Sequence, residues 1–251
     1  MQTGRQGDPQ APRKGQVSGP ELSHIAPSPC LPVSLSPCLY HPPMPQHGTF
    51  LVLDGTEGSG KSTQARLLEQ KLTGLGRGVL LVRDPGTTRI GEQMRAILLD
   101  PAHAEMSMRC EMLLYMSARA QMMKEVLGPA LDAGKVVICD RFVSSTLAYQ
   151  LGGDGITAQE IQSIADVAIK GRWPDLILIL DLPVEKSLGR LNRPKDRIEQ
   201  RPVSYHEQVR QNYLAQAREN PQNYRLIDAD RSIDAIAEDI WREVKPMVSG
   251  Q

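Results

Sequence analysis

The sequence predicts an α/β fold in which a five-stranded parallel sheet is flanked by helices. From residue 49 onward, short apolar runs alternate with amphipathic helical patterns, the order expected of a doubly wound sheet. Residues 176–180 are apolar at every position, as a strand covered on both faces must be. A glycine-rich segment, 55–62, falls between the first strand and the first helix, where such folds bind ligands.

The first strand spans 49–53, and a helix at 61–75 carries Leu67, Leu68 and Leu72 on one face before Gly74 and Gly76 end it. A second strand at 79–82 leads to a helix at 90–99. A long Met- and Leu-rich helical pattern then runs from about 105 to 131, interrupted near Gly128-Pro129 because proline cannot donate to the helix ladder. Residues 135–139 form a strand. Thr157-Ala-Gln-Glu160 has capping-box spacing and opens a helix to Lys170. After the apolar strand come helices at about 184–191 and 204–219, a strand at 224–227 and a final helix at about 232–247.

Residues 1–47 differ in kind. They hold ten of the nineteen prolines and lack either periodicity, so they read as a disordered Pro-rich extension ahead of a domain at 48–251. The charged start is followed by no apolar block or small-residue cleavage site, so it is not a secretory signal. The repeated Ser-Pro-Cys-Leu at 28–31 and 36–39 reads as low-complexity sequence. Met44, just before the first strand, is the expected alternative translation start.

Twenty-nine basic residues balance twenty-nine acidic ones, which leaves no basic footprint for nucleic acid or an anionic membrane. The longest apolar runs are far below the roughly 20 residues that span a bilayer. Cysteines at 30, 38, 110 and 139 give neither a disulfide framework nor zinc-ligand spacing, which fits a soluble protein in a reducing, cytoplasmic setting.

The strongest chemical signal is Gly55-Thr56-Glu57-Gly58-Ser59-Gly60-Lys61-Ser62, followed by Thr63, which satisfies G-x-x-x-x-G-K-[ST] between a strand and a helix. Its glycines let the backbone curl so that N–H groups face phosphate oxygens, and the helix N-terminus adds positive potential. Lys61 can reach the β- and γ-phosphates of a nucleoside triphosphate, and the Ser62 hydroxyl suits Mg²⁺. This is a P-loop NTPase fold. The strand at 135–139 runs into Asp140-Arg141, where a motor or transporter ATPase more often has Asp-Glu. An arginine beside a magnesium-associated aspartate suits a second phosphate group, because the guanidinium fork matches phosphate oxygens; the plainer reading is a strand-end ion pair. Neither the base-reading Asn-Lys-x-Asp of a GTPase nor the Leu-Ser-Gly-Gly-Gln of a transporter cassette is present.

Four segments in order carry a more specific resemblance. They are the phosphate loop with Glu57, Arg83-Asp-Pro-Gly-Thr-Thr88, Asp140-Arg141-Phe142 with Ser144 to Gln150, and Asp196-Arg197-Ile198-Glu199. Residues 48–251 resemble a bacterial thymidylate kinase, an enzyme that phosphorylates dTMP to dTDP with ATP. The resemblance implies that Lys61 and the loop hold ATP, that Arg141 holds the acceptor phosphate with Arg83 nearby, and that Asp140 helps place Mg²⁺. It also puts Glu57 at the acceptor sugar's 3′-hydroxyl, although a solvated loop carboxylate is the plainer reading. Tyr115 and Arg119 lie four apart on a helix. The resemblance has Tyr115 stack on thymine while Arg119 donates to a base carbonyl; without it, Tyr115 reads as core and Arg119 as an ion-pair partner. Tyr149 would crowd the sugar against a 2′-hydroxyl, with Thr146 and Gln150 reaching base or phosphate.

The segment 190–201 is basic and proline-containing, and the phosphate loop has no cation at 56–59. The resemblance therefore makes this segment a mobile lid that brings Arg193 and Arg197 to the transferring phosphate. Asp84 stands where Glu is usual, Thr87 where Gly is usual, and Leu151 and Asp154 where Gly and Arg are usual, which leaves the local turns open. A homodimer through helices is implied, with the methionines of 105–125 either on that face or in the core. A deoxynucleoside kinase or a non-catalytic nucleotide-binding regulator are the alternative functions.

Overall fold

The structure is a computed structural model and describes residues 48–248. The expectations for residues 1–47, namely the disordered extension, the repeat and the start at Met44, lie outside the described residues.

Five strands form one parallel sheet: β1 (Phe50–Gly55), β2 (Val79–Arg83), β3 (Val136–Asp140), β4 (Leu176–Asp181) and β5 (Tyr224–Asp228), in the order β2-β3-β1-β4-β5. Side chains alternate across β1. Phe50 and Val52 enter one core with α3 (Met108–Met122), α5 (Val143–Tyr149), α6 (Ala158–Ile169) and α8 (Val203–Glu219). Leu51 and Leu53 enter the other, with α1 (Lys61–Gly74) and α9 (Ile233–Val248). Helices α2 (Arg89–Leu99), α4 (Gly128–Asp132) and α7 (Val184–Gly189) complete the set. The register pairs Leu53 and Arg83 with Asp140, so the C-terminal ends of β1, β2 and β3 come together at one edge.

Three sequence expectations change. The long helix starts at Met108, not near 105, because Ser107 caps it by accepting from the Cys110 N–H at 3.2 Å. It also does not break at Gly128-Pro129. A π turn at Met123–Leu127 absorbs the misfit, and Pro129 falls in the first turn of α4, where its missing N–H costs little. Residues 143–149, read only as a motif, form α5.

Candidate functional site

The loop after β1 curls through three glycines with positive φ: Gly55 (134°), Gly58 (71°) and Gly60 (96°). Two of them are sterically compelled. A Cβ would lie 2.4 Å from the Leu180 carbonyl oxygen at Gly55 and 2.3 Å from that of Ser187 at Gly58. Gly60 caps α1 with no side-chain hydrogen bond, and the first turn of the helix holds no acid, so its N–H groups are open to an anion. Lys61 Nζ folds back to donate to the Thr56 carbonyl at 2.7 Å and to Ser59 Oγ at 3.4 Å. Burial pulls the Lys61 ammonium down to about 8, with the Arg141 charge adding to the effect. Ser62 Oγ donates to Asp140 Oδ2 at 2.5 Å, which sets a hydroxyl and a carboxylate together at the loop's mouth. Thr63 is exposed on α1.

Arg141 adopts φ 73°, left-handed backbone that a non-glycine residue takes only where its surroundings hold it. Its Nη1 donates to the Gly55 carbonyl (3.0 Å), Ser145 Oγ (3.1 Å), Tyr213 OH (3.2 Å) and Asp54 Oδ1 (3.4 Å), and Nη2 donates to Glu57 Oε1 (3.1 Å). The guanidinium lies 5.2 Å from the Tyr149 ring centre. Asp54 is the hidden anchor. Fully buried, it also accepts from Ser144 (2.6 Å), Ser145 (2.7 Å), Tyr213 (2.6 Å) and the Gly55 N–H (3.0 Å). Glu57 Oε1 accepts from Tyr149 OH at 2.6 Å, whereas its buried Oε2 lies 3.9 Å from His206 Nδ1 and has no hydrogen-bond partner among the described residues. Burial would raise the Glu57 carboxyl, but the Arg141 and Lys61 charges and the Tyr149 hydroxyl outweigh it and hold the group below the ordinary carboxylate range.

These groups open onto a cavity of about 270 Å³ at the C-terminal edge of the sheet. Glu57, Gly58, Lys61, Ser62, Asp140 and Arg141 form one side. Arg83, Asp84, Arg95, Tyr115 and Arg119 form another, with Thr146, Tyr149 and Gln150 on α5 and its C-cap beneath. Arg83 pairs with Glu92 at 3.0 Å. Burial and the neighbouring Arg83 charge lower the Arg95 guanidinium's affinity for its proton, and its Nη1 donates to the Pro85 carbonyl at 3.0 Å. Arg119 is 1% exposed and donates through Nε (2.7 Å) and Nη2 (2.5 Å) to Asp84 Oδ2, with Thr146 Oγ1 at 3.4 Å from Nη1. It is therefore a buried ion-pair partner that also forms cavity wall, rather than a free donor.

The turn after β2 holds Thr87 at φ 69°, where a β-branched residue is strained. Its hydroxyl compensates: Oγ1 accepts from the Arg83 N–H and donates to the Arg83 carbonyl, both at 3.0 Å. Asp154, also left-handed at φ 52°, accepts from the Arg109 N–H at 3.2 Å through Oδ2.

The segment 190–202 has no regular structure. Leu191, Arg193, Asp196, Ile198 and Glu199 line the cavity, and Arg193 makes a bidentate pair with Glu199 (2.9 and 2.5 Å). Arg197 corrects the sequence expectation. It faces away from the cavity, 7% exposed, donating to the Leu98 carbonyl (2.8 Å) and Glu111 Oε2 (2.5 Å). A long side chain one residue from the cavity-lining Asp196 and Ile198 points to the opposite side of the segment. Arg190, which the sequence reading did not single out, rests on the phosphate loop with Nη1 3.4 Å from the Gly58 carbonyl.

Asp54, Arg95 and Tyr213 are site residues that sequence reasoning missed. Asp54 carried a usable signal: a carboxylate at the end of an all-apolar strand must be satisfied from elsewhere. Arg95 and Tyr213 sit in ordinary helical patterns and carried none.

Comparison with known proteins gives a consistent picture. The family model described as thymidylate kinase matches residues 53–240. The thymidylate kinase of Pelotomaculum thermopropionicum is 42% identical over 204 residues, covering 80% of this chain and 94% of that protein. That of Pseudomonas putida is 43% identical over 195 residues, covering 77% and 93%. A crystal structure of thymidylate kinase from Ehrlichia chaffeensis superposes with a TM-score of 0.65 at 27% identity, covering 79% of this chain and 99% of that one.

Proposed function

The chain belongs to the thymidylate kinase family and phosphorylates dTMP with ATP, and we propose that the cavity between the phosphate loop, the 83–85 turn and the 190–202 segment is where it does so. One observation carries the assignment of the acceptor end. Five guanidinium groups line one cavity; Arg83, Arg119, Arg141 and Arg193 pair with carboxylates, whereas Arg95, set beside Arg83 and Arg141, donates to the Pro85 carbonyl and has its proton affinity lowered by burial and by those two charges. Like charges crowded in this way call for an anion, and the dTMP 5′-phosphate supplies it.

The loop N–H groups and Lys61 bind the ATP phosphates, and Arg141, braced by Asp54 and Tyr213, aims the acceptor phosphate at them. Catalysis is then positioning and charge neutralisation, because the transferred phosphoryl passes through a loose transition state with charge on its outer oxygens. Arg193, on the segment over the cavity, supplies the cation that the loop lacks. Glu57 Oε2, which faces His206 Nδ1 at 3.9 Å but makes no hydrogen bond among the described residues, accepts a hydrogen bond from the sugar 3′-hydroxyl, which satisfies a buried oxygen that is otherwise costly. Tyr115 stacks on the base, with Gln150 and Thr146 beside it, and Tyr149 fills the space that a 2′-hydroxyl would need.

Ser62 and Asp140 would hold Mg²⁺. Their hydroxyl and carboxylate oxygens suit a hard cation, and Mg²⁺ commonly takes one or two protein oxygens and completes its shell with phosphates and water. Once bound, the ion neutralises charge on the ATP phosphates.

The same reading makes the protein a cytoplasmic homodimer. Cys110 and Cys139 are free thiols, and among the described residues no helix is long and apolar enough to cross a membrane. Met112, Met116, Met122 and Met123 are buried core; of the exposed apolar residues, Ile97 on α2, Leu113 on α3 and Val167 on α6 lie on three neighbouring helices and form the face offered to a partner copy. Sedimentation at micromolar concentration tests the dimer, and a monomer there rejects it.

The deciding experiment is coupled ADP production with ATP and Mg²⁺, comparing dTMP, dUMP, dCMP, AMP and thymidine, with Lys61→Ala and Arg141→Ala as controls. Turnover on dTMP that both variants lose supports the reading. Turnover on thymidine instead assigns a nucleoside kinase, and binding without turnover assigns a regulator.

A further inference from the structure

Glu111 lies outside the cavity wall, yet it is fully buried and accepts from three different side chains. It sits in the first turn of α3, fully buried, on the helix face that carries Tyr115 four residues on and Arg119 eight residues on. Its Oε1 accepts from Gln150 Nε2 at 2.7 Å, and Gln150 is itself cavity wall. Its Oε2 accepts from two arginines of the covering segment, Arg197 Nη2 at 2.5 Å and Arg201 Nη2 at 2.7 Å. Arg201 Nη1 also donates to Tyr205 OH at 2.5 Å, and that hydroxyl donates to the Tyr149 carbonyl at 2.8 Å. One carboxylate thus ties the base-side helix and the C-cap of α5 to both ends of the turn that bears Asp196, Ile198 and Glu199, the last being the partner of Arg193.

We propose that Glu111 is a positioning residue that latches the 190–202 segment and holds Arg193 in register with the phosphate loop, coupling an occupied acceptor site to closure over ATP. The inference rests on the cavity being the dTMP and ATP site. The physical reason is asymmetry of cost. A buried carboxylate with one amide and two guanidinium partners is satisfied, but removing its charge leaves Arg197 buried without a counterion, so that side chain leaves for water and takes the segment with it. A ligand that presses Tyr115 and Gln150 into place orders the groups on either side of Glu111 and strengthens the latch, and closure in turn retains the ligand.

The latch is tested with Glu111→Gln, which keeps shape and loses charge. Turnover should fall about tenfold or more, with the KM for ATP changed less than about threefold, because a misplaced cation is felt in the transition state. Arg193→Ala should cost much less in the Glu111→Gln background than in the wild type, since the latch and the cation it positions act as one unit.

A second readout does not use activity. The segment holds the trypsin sites Arg190, Lys195 and Arg197, whereas Pro194 and Pro202 block cleavage after Arg193 and Arg201. Trypsin should cut there slowly in the wild type and more slowly with dTMP, but fast in Glu111→Gln whether or not dTMP is present, with mass spectrometry locating the cuts. Additive rate losses together with preserved dTMP protection in Glu111→Gln would overturn the proposal, as would cleavage accelerated evenly along the whole chain. If Glu111→Gln lacks the helical circular-dichroism signal, Arg201→Gln, which breaks the same contact from its more exposed side, must show the same cutting pattern for the proposal to stand. A folded wild type that dTMP fails to protect would count against the substrate reading, whereas the faster basal cleavage of the variant tests the latch independently.

Discussion

Arg141 Nη2 donates to Glu57 Oε1 at 3.1 Å while Nη1 of the same side chain is held by Asp54, Gly55, Ser145 and Tyr213, so one guanidinium joins the phosphate loop to β3 and α8. A lysine keeps the charge but not the fork. Arg141→Lys is therefore expected to lower kcat/KM for dTMP by about 10²-fold or more while the KM for ATP stays nearly constant, which steady-state kinetics with each substrate varied will check.

The Glu57 carboxyl is held below its ordinary 4.5, against the effect of burial, chiefly by Arg141 and Lys61. A folded-state value depressed below the unfolded one contributes stability that is complete above about pH 4.5 and is lost as pH falls through the lower folded value. Urea unfolding between pH 3 and 7 should show Glu57→Gln losing less stability on acidification than the wild type. Parallel pH profiles would reject this.

Lys61 behaves in the opposite sense. Burial lowers it from 10.5 to about 8, so the charged form costs stability below pH 8, and that cost fades as pH rises from 8 to 10.5. Bound ATP phosphates are expected to restore the charged form. At pH 8.5, where the free site is largely deprotonated, ATP binding should take up about half a proton or more, measurable by calorimetry in buffers of different ionisation enthalpy, and Lys61→Met should abolish the uptake.

Thr87 trades strain for hydrogen bonds. Thr87→Ala keeps φ near 69° and loses both contacts with Arg83, so it should destabilise by about 1–2 kcal/mol. Thr87→Gly loses the same contacts but relieves the strain and should fall within about 1 kcal/mol of the wild type. Chemical denaturation of both variants gives the comparison.

Arg193 and Arg190 take different places near the loop. Arg193 lines the cavity, whereas Arg190 lies against the Gly58 carbonyl. Arg193→Ala should lower kcat by about 10²-fold, as loss of one preorganised charge at the transferring phosphate does, with Arg190→Ala acting mainly on the KM for ATP. The reverse split would reassign the transition-state cation.

Much of this protein was legible in its sequence because the signals are local. All five strands were found from their apolar runs, and the phosphate loop from glycines whose spacing allows positive φ next to a helix N-terminus. Of the candidate acceptor residues, Glu57, Arg83, Tyr115, Arg119, Arg141, Thr146, Tyr149 and Gln150 all reach the cavity wall. Where sequence reading failed, the missing information was a partner. Helix α5 went unseen because seven residues carry little periodicity, and it is held by packing against α8.

By itself, the sequence determined the order of strands and helices, the loop that wraps phosphate and the set of side chains able to serve a nucleotide. Backbone preference and hydrophobic period act over a few residues. Tertiary structure alone decided which charge meets which. Asp54 and Arg141 are 87 residues apart, Glu111 and Arg197 are 86 apart, and both pairs exist only because parallel strands bring their C-terminal ends to one edge and the 190–202 segment returns over it. An arginine reads the same in sequence whether it faces a phosphate or a buried carboxylate. In the fold, burial makes an unpaired charge too costly to keep, so Arg197 turns to Glu111 and braces the cavity from behind, while the half-exposed Arg193 pairs with Glu199 at the cavity wall.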